Sequence, residues 1–543
     1  MRVPIKPVLK QILGELPLSA EIYWHLLQSG NPLNESFTLQ QLEKGLPEWH
    51  TQVARLSSSN QTGKKVLIFS TLHYWISHAT LMSLALAGLG HSVSLTFLPY
   101  GKWQKPINRF DLRRQNLYAK AVLSKAAPFV NTTSLLDVKP AEVGLPDDLQ
   151  SAIEEVALRD TQYTLQVEEV SLDSQLYRLR KERNLLAARA ALAYMQSELP
   201  EIVIIPNGSI LEFGAIYRVA RFLGLPVVTY EFGEQRGRIW LACNSEVMRQ
   251  ETDSLWTVRG NQGLNAAEEG RVKTLFVARQ RANQYENFAR RWQGTPSIGG
   301  EKTRQALGLD NRPVILLATN VIGDSLTLGR QVFSDSMTEW LKRTVGYFAN
   351  HPEATLVVRI HPGELITKGP SVADVVAQAL PELPGNIQLV TSDAQINTYD
   401  LIEIAEAGLV YTTTVGLEMA MSGLPVIVIG QTHYRGKGFT LDPESWAAYF
   451  DLLDKVVETP GGFQLSDGQV QLAWEYAYRF FFEYPHPFPW HLVHIWEDVT
   501  EWPLSRVFSE EGQQQFASTF QYLVGEPVDW SRLDGQVERG WVK

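Results

Sequence analysis

Short apolar runs alternate with longer amphipathic stretches along most of the chain. Runs of roughly four to eight apolar residues between turn residues predict buried strands, whereas apolar positions recurring every three or four residues predict helices. In the second half, strands alternate strictly with helical patterns, which predicts a parallel, doubly wound α/β sheet. The strands predicted there are 314–319, 355–360, 387–390, 409–412 and 426–429.

The first half has a similar pattern, interrupted by a charged helical region at 102–199. Its predicted strands are 66–70, 93–98, 202–205 and 227–230, with helices at 78–88 and 211–223. We expect three polar loops to open at one edge of this sheet, because the carboxyl ends of parallel strands share an edge. They are a turn holding His73 and His78, the loop 206–209, and the loop 231–237.

These patterns predict five segments. A helical N-terminal extension covers 1–62, a first α/β domain with a helical insertion covers 63–292, and a linker covers 293–312. A second α/β domain covers 313–465, and helices expected to pack across the domains cover 466–543.

Charge and cysteine content narrow the function classes. The 49 basic and 59 acidic residues give a net charge of −10, which argues against nucleic acid as a partner. The single cysteine, Cys243, fits a reducing compartment. No apolar run reaches the length of about 18 residues that suggests a membrane span. We therefore expect a cytoplasmic protein, with peripheral contact at the inner membrane face and the oligomeric state left open.

Polar residues with phosphate-binding chemistry follow several strands of the second domain. His361 can donate a hydrogen bond to a phosphate oxygen, and Pro362 fixes the backbone that positions it. The hydroxyls of 412–414 are suited to cap the helix that follows, whose free N–H groups attract anions. Glu418 lies one turn into that helix, where it can reach a ribose. The predicted donor-binding residues are Asn320, Asp324, Arg359, His361, Pro362, Thr412, Thr413, Thr414, Gly416, Glu418, Arg435 and Lys437.

Two common nucleotide motifs are absent from the sequence. It has neither a Walker loop nor a GxGxxG fingerprint, which weakens the interpretation as a P-loop or dinucleotide-binding protein. Carboxylates with metal-ligand spacing are also missing, so we predict no metal and no cofactor, with basic groups stabilising the phosphate.

The motifs TNVIGDS, RIHPGE, NTYDLI, YTTTVGLEMAMSGLPVIV and HYRGKGFT resemble the second domain of GT-B glycosyltransferases. The resemblance is strongest to the capsule polysaccharide biosynthesis proteins, a group that includes bacterial Kdo transferases, and covers 313–449 well. It implies two Rossmann-like domains facing across a cleft. It also implies that His361, Thr413 and Thr414 hold the donor phosphate and that Glu418 holds the ribose. The partners would be a nucleotide-sugar donor and a saccharide or lipid-linked acceptor.

The chain departs from related enzymes in two places. Val410 stands where retaining GT-B enzymes carry a second acidic residue, eight positions before Glu418. The acidic-acidic-Gly base motif of related sialyltransferases is replaced by Glu231-Phe232-Gly233. We therefore predict Glu231 as the catalytic base, with Glu234 and His73 as further catalytic candidates.

Three other functions remain open from the sequence. A teichoic-acid-type polyol-phosphate transferase would use a similar His and Ser/Thr arrangement on a CDP-linked donor. A UDP-sugar epimerase would share the fold. A non-catalytic nucleotide-sugar-binding subunit would need His361 and Glu418 but not Glu231.

Overall fold

A computed structural model describes residues 5–27, 36–56, 63–140, 144–288 and 294–531. Its contacts divide the chain into two compact units. The first unit comprises 1–161, 171–248 and 486–528, and the second comprises 162–170, 249–485 and 529–543. No helix among the described residues is long and apolar enough to cross a membrane.

The part of the chain before residue 250 begins with three helices and then mixes strands with helices. The elements are α1 (Ile5–Glu15), α2 (Ser19–Leu27), α3 (Gln40–Leu56), β1 (Lys65–Thr71), α4 (His73–Gly88), β2 (Ser92–Leu98), α5 (Arg109–Leu123), β3 (Val130–Ser134), α6 (Asp147–Leu165), α7 (Gln175–Glu198), β4 (Ile202–Pro206), α8 (Leu211–Phe222), β5 (Val227–Glu231) and β6 (Arg238–Cys243).

The second unit contains the next fourteen helices and strands. They are α9 (Asp253–Arg259), α10 (Ala266–Gln280), α11 (Gly300–Ala306), β7 (Val314–Ala318), α12 (Met337–Ala349), β8 (Thr355–Arg359), α13 (Val372–Ala379), β9 (Ile387–Val390), α14 (Thr398–Ile404), β10 (Ala405–Val410), α15 (Val415–Met421), β11 (Val426–Val428), α16 (Trp446–Glu458) and α17 (Asp467–Tyr478). The chain then returns to the first unit as β12 (His486–Pro487), α18 (Ile495–Glu501), α19 (Leu504–Val507) and α20 (Glu510–Leu523).

Each unit is built on one sheet. The seven-stranded sheet of the first unit has the order β12-β6-β5-β4-β1-β2-β3, with β6 antiparallel to both of its neighbours and the other pairs parallel. The five-stranded sheet of the second unit is entirely parallel, with the order β11-β10-β7-β8-β9. The prediction of an α/β fold with two Rossmann-like domains is confirmed.

The core of the second unit explains why its strands read as continuous apolar runs. Both faces of a parallel sheet are covered by helices, so most strand positions are buried, and in β7, β8 and β11 all of them are. Ile315, Leu317 and Val358 are fully buried, and they pack with Trp340 and Phe348 of α12. Polar residues are consequently more frequent in the loops after the strands than within them.

Several predicted elements differ from those observed. All nine predicted strands are present, but β3, β6 and β12 were not predicted. The helix predicted at 78–88 begins at His73, so His78 lies inside α4 rather than in a turn. The segment before the predicted linker is helical only as far as Gln280, where α10 ends, and residues 289–292 lie outside the described part of the chain. The predicted linker 293–312, apart from residue 293, is described and contains α11.

Candidate functional site

Three loops of the second unit are joined by hydrogen bonds at the carboxyl edge of its sheet. The Thr319 hydroxyl, after β7, accepts from the His361 backbone N–H at 3.1 Å. The side-chain Oδ1 of Asn320 accepts from the backbone N–H and the hydroxyl of Thr412, after β10, each at 3.2 Å. The strand order reverses between β7 and β10, and ligands of open α/β sheets bind at such switch points.

His361 is held in a defined orientation and tautomer. It caps the short 3-10 helix Pro362–Ile366, and its Nδ1 accepts from the Gly363 backbone N–H at 3.0 Å. A neutral ring that accepts at Nδ1 carries its proton on Nε2, so Nε2–H is available as a donor. Burial lowers the pKa of His361, and the nearby Asp324 opposes that shift. The ring is therefore a neutral hydrogen-bond donor at neutral pH.

Asp324 lies in the same loop as Asn320. Burial raises the pKa of its carboxyl group, while hydrogen bonds from Ser325 lower it. The Ser325 hydroxyl donates to its Oδ1 at 3.2 Å. This carboxyl group therefore supplies negative charge beside the imidazole when it is ionised.

Arg359 ends β8 and is 3 % exposed. Its Nη1 donates to the Thr391 carbonyl at 2.7 Å and its Nε to the Thr398 hydroxyl at 3.4 Å. Burial lowers the pKa of Arg359 to about 10, which leaves it charged at neutral pH. The Arg359 guanidinium thus connects β8 to the loop after β9 by hydrogen bonds, and it places positive charge near His361.

The threonines after β10 differ in their surroundings. Thr412 bonds to Asn320, while the Thr413 carbonyl accepts from the Tyr434 hydroxyl at 2.6 Å. Thr414 precedes α15 with helical backbone angles of φ −60° and ψ −21°, and its side chain makes no capping bond. The predicted capping by this threonine hydroxyl is therefore wrong, because a residue in the helical conformation does not direct its side chain to the first N–H groups.

Gly416 lies where α15 packs most closely against the following loop. A Cβ atom at this position would lie 2.3 Å from the Tyr434 hydroxyl oxygen and 2.9 Å from a methyl of Val410. Only a residue without a side chain lets Tyr434 reach the Thr413 carbonyl.

Glu418 is buried in α15 and uses both carboxylate oxygens. Arg279 of α10 donates to its Oε1 at 2.5 Å, and the Tyr399 hydroxyl of α14 donates to its Oε2 at 2.9 Å. A carboxylate has about four lone-pair sites, so these bonds leave acceptor capacity for a hydroxyl of a ligand. The sequence analysis missed Arg279 and Tyr399, since no spacing relates α10 or α14 to α15.

Arg435 and Lys437 in the loop after β11 already have protein partners. The two terminal nitrogens of Arg435 donate to the carbonyls of Val428 and Pro443, at 2.5 and 2.6 Å. Lys437 forms an ion pair with Asp253, a strongly exposed residue that begins α9. Arg435 therefore shapes the loop, whereas the buried Lys437 side chain pairs with a carboxylate that is itself strongly exposed.

The first unit places Glu231 at the carboxyl end of β5. Asn207, after the adjacent β4, donates to its Oε2 at 3.1 Å, and the Phe232 N–H donates to its Oε1 at 3.0 Å. Burial raises the pKa of Glu231, and these two bonds partly offset the shift. A carboxyl group with a raised pKa is suited to proton transfer near neutral pH. Glu234 lies in the same loop and is half-buried.

The two histidines near β1 have different environments. His73 begins α4, is half-buried, and hydrogen bonds to the Ser36 backbone. Burial lowers the pKa of both histidines, and it lowers that of His78 to about 3. The His78 Nε2 lies 3.2 Å from the Trp490 carbonyl oxygen. His78 is therefore a neutral core residue.

One protein family matches the segment that carries the three joined loops. The family model described as "Capsule polysaccharide biosynthesis protein" matches residues 285–450. This segment resembles capsule polysaccharide biosynthesis proteins. The resemblance predicted from the sequence motifs is confirmed for these residues, which include strands β7 to β11.

The solved structures that match this chain include two KpsC transferases from Thermosulfurimonas dismutans. The beta Kdo 2,4 transferase is 16% identical, with a TM-score of 0.35, over 53% of this chain and 82% of that one. The beta Kdo 2,7 transferase is 14% identical, with a TM-score of 0.32, over 55% and 81%. The UDP-GlcNAc 2-epimerase of Neisseria meningitidis is 12% identical, with a TM-score of 0.26, over 77% and 98%. A search of curated proteins found no match.

Proposed function

We propose that the protein is a glycosyltransferase that moves a sugar from a nucleotide-sugar donor to a saccharide or lipid-linked acceptor of a surface polysaccharide. The observation that carries this proposal is the set of bonds joining Thr319, His361, Asn320 and Thr412 at the switch point of a parallel sheet. The match of 285–450 to capsule biosynthesis proteins supports the same function.

In this proposal the second unit binds the nucleotide part of the donor. The Nε2–H of His361 donates to a phosphate oxygen, and its position is set by Gly363 and Thr319. Glu418, held by Arg279 and Tyr399, accepts from a ribose hydroxyl. Lys437 adds positive charge as the phosphate departs, because a preorganised cation stabilises charge that develops in the transition state.

Glu231 of the first unit is the proposed general base. The acceptor oxygen forms a bond to the anomeric carbon, its proton passes to the Glu231 carboxylate, and the bond from that carbon to the phosphate oxygen breaks. The departing nucleotide keeps the electron pair. The raised pKa of Glu231 supports this assignment, since it makes the carboxylate a stronger base than an exposed glutamate.

The proposal is tested with Glu231→Gln, which keeps the size of the side chain and removes the base. We expect sugar transfer to fall by roughly 10²- to 10⁴-fold, the usual contribution of general base catalysis, while nucleotide affinity stays unchanged. Glu48→Gln, at an exposed position of α3, is the matched control. Unchanged turnover in Glu231→Gln would remove this residue from the mechanism and favour a protein that only binds the nucleotide sugar.

A further inference from the structure

The first unit contains a cavity of about 620 Å³ beyond the carboxyl end of β2. The loop after β2 forms one wall, with Tyr100, Lys102 and Lys105. Gln115 of α5 and Arg183 of α7 contribute to the lining from two helices. The cavity is large enough for a sugar residue, since small-molecule sites begin at about 300 Å³.

Buried side chains fix the loop that forms this wall. Arg183 is 5 % exposed, and its two terminal nitrogens donate to the carbonyls of Lys102 and Lys105, at 2.9 and 2.8 Å. Its guanidinium also lies 4.2 Å from the centre of the Tyr100 ring. Gln115, 1 % exposed, donates to the Pro99 carbonyl at 2.6 Å. The wall of the cavity is therefore held in place by hydrogen bonds from buried side chains.

The charge of the lining is positive. Lys102, Lys105 and Arg183 contribute three cations, and no carboxylate occurs among the described lining residues. The nearby acids Asp160 and Glu212 are fully or nearly buried and form ion pairs with Arg180. Glu182, whose negative charge contributes to the raised pKa of the Tyr100 hydroxyl, lies on the exposed side of α7. The two lysine side chains are thus free to attract an anion that enters the cavity.

The cavity and Glu231 lie at the same edge of one sheet. β2 is three strands from β5 in the order β5-β4-β1-β2, and neighbouring strands are about 4.8 Å apart, so the two loops begin roughly 14 Å from each other. His73, after the intervening β1, hydrogen bonds to the backbone of Ser36, which also lines the cavity. A single sugar ring cannot occupy the cavity and also present a hydroxyl to Glu231, whereas an extended saccharide can.

We propose that this cavity binds an anionic group, a carboxylate or a phosphate, on a sugar of the acceptor that lies one or more residues away from the hydroxyl that reacts. The inference rests on the proposed function, because it takes the acceptor to be a saccharide chain. It adds a specificity-determining subsite formed by Lys102, Lys105 and Arg183. The neutral parts of the acceptor would extend past His73 toward Glu231.

Binding of defined saccharides to the full chain tests the proposal. The probes are trigalacturonate, which carries carboxylates, glucose 6-phosphate, which carries a phosphate, and neutral galactotriose. Each is titrated calorimetrically into the wild type, the double variant Lys102→Glu with Lys105→Glu, and a control with Lys44→Glu and Lys139→Glu. The control changes the charge of the first unit equally at two exposed positions outside the cavity.

We expect at least one acidic probe to bind the wild type about tenfold more tightly than galactotriose, because two partly screened ion pairs of about 0.5–1 kcal/mol each give that factor. The cavity variant should lose this preference, and the control should keep it. The acidic probe that binds more tightly identifies the preferred anion as a carboxylate or a phosphate. Equal binding of acidic and neutral probes, absence of binding, or equal affinities in the two double variants would overturn the proposal.

A parallel titration with CMP, CDP, UDP and GDP separates this inference from the proposed function. Nucleotide binding without binding of the acidic probes would refute the subsite alone. Absence of nucleotide binding would refute the proposed donor site, irrespective of whether the saccharide probes bind.

Discussion

The environment of Glu231 has a consequence for stability as well as for catalysis. Burial raises its pKa in the folded state, so the folded protein binds this proton more tightly than the unfolded chain does. The contribution of Glu231 to the free energy of unfolding is therefore complete below its ordinary pKa of 4.5, and it decreases as the pH rises through the pKa of the folded state. Glu231→Gln mimics the protonated carboxyl group and removes this dependence.

We predict that Glu231→Gln melts at a higher temperature than the wild type at pH 8 and that the difference disappears near pH 4. Differential scanning calorimetry at several pH values measures both quantities. The exposed control Glu48→Gln should show no such pH-dependent difference. A lower melting temperature for Glu231→Gln at pH 8 would contradict the burial of an ionised carboxylate at this position.

The sequence analysis identified some residues of the candidate site and missed others for a physical reason. His361, Asn320 and Thr412 could be proposed because each follows a readily recognised strand, and parallel topology brings strand ends together. Arg279 and Tyr399 contact Glu418 from helices whose packing depends on the whole tertiary structure. The missing cap at Thr414 likewise depends on the backbone angles of one residue, which its identity does not determine.

At the scale of elements, the Glu418 carboxylate connects α10, α14 and α15. Arg279→Ala would leave this buried carboxylate without its cationic partner. We predict a loss of about 3–5 kcal/mol in the free energy of unfolding, as for other broken buried pairs. Urea denaturation followed by tryptophan fluorescence measures the change.

Lys273→Ala is the control for Arg279→Ala, because it lies on the same helix and its ion pair with Glu269 is half-exposed. Exposed pairs contribute at most about 1 kcal/mol, so this variant should resemble the wild type. Equal effects of the two substitutions would show that the Arg279–Glu418 pair does not stabilise the second unit.

The close contact between α15 and Tyr434 gives a second prediction at this scale. Gly416→Ala places a Cβ atom 2.3 Å from the Tyr434 hydroxyl oxygen, and we expect a loss of about 1–3 kcal/mol from overpacking. Combining Gly416→Ala with Tyr434→Phe should recover part of the loss.

Gly346→Ala in α12 is the control, because its Cβ atom meets no atom within 4 Å, and it should stabilise the helix by about 0.5–1 kcal/mol. Thermal and urea unfolding of the three variants measure these effects, and a neutral Gly416→Ala would contradict the packing described.

At the scale of the molecule, the hydrophobic pattern predicted the α/β fold and nine strands but not the mixed character of the first sheet. β6 alternates between buried and half-exposed positions, so it lacks the continuous apolar run typical of the parallel strands. β3 lies at the sheet edge and reads VNTTS, which is too polar to stand out. β12 is only two residues long.

The discontinuous composition of the two units could not be predicted from local sequence either. Residues 162–170 leave the first unit and join the second, where Glu168 accepts from the backbone N–H groups of Met337 and Thr338 at the start of α12. Such a cap satisfies otherwise unpaired N–H groups, but its residues are about 170 positions apart. Local patterns hold no information about contacts of this range.

The central claim is that the second unit binds a nucleotide through His361, and calorimetric titration of CMP, CDP, UDP and GDP into the full chain tests it most directly. We predict that at least one nucleotide binds the wild type and that His361→Ala lowers the affinity for this nucleotide roughly 10- to 150-fold. This factor corresponds to the loss of about 1.5–3 kcal/mol, the contribution of a hydrogen bond to a charged group. His351→Ala, which removes a ring stacked on Tyr347 at the opposite edge of the same sheet, should bind like the wild type. If no nucleotide binds, or if both histidine variants bind as tightly as the wild type, the account is contradicted.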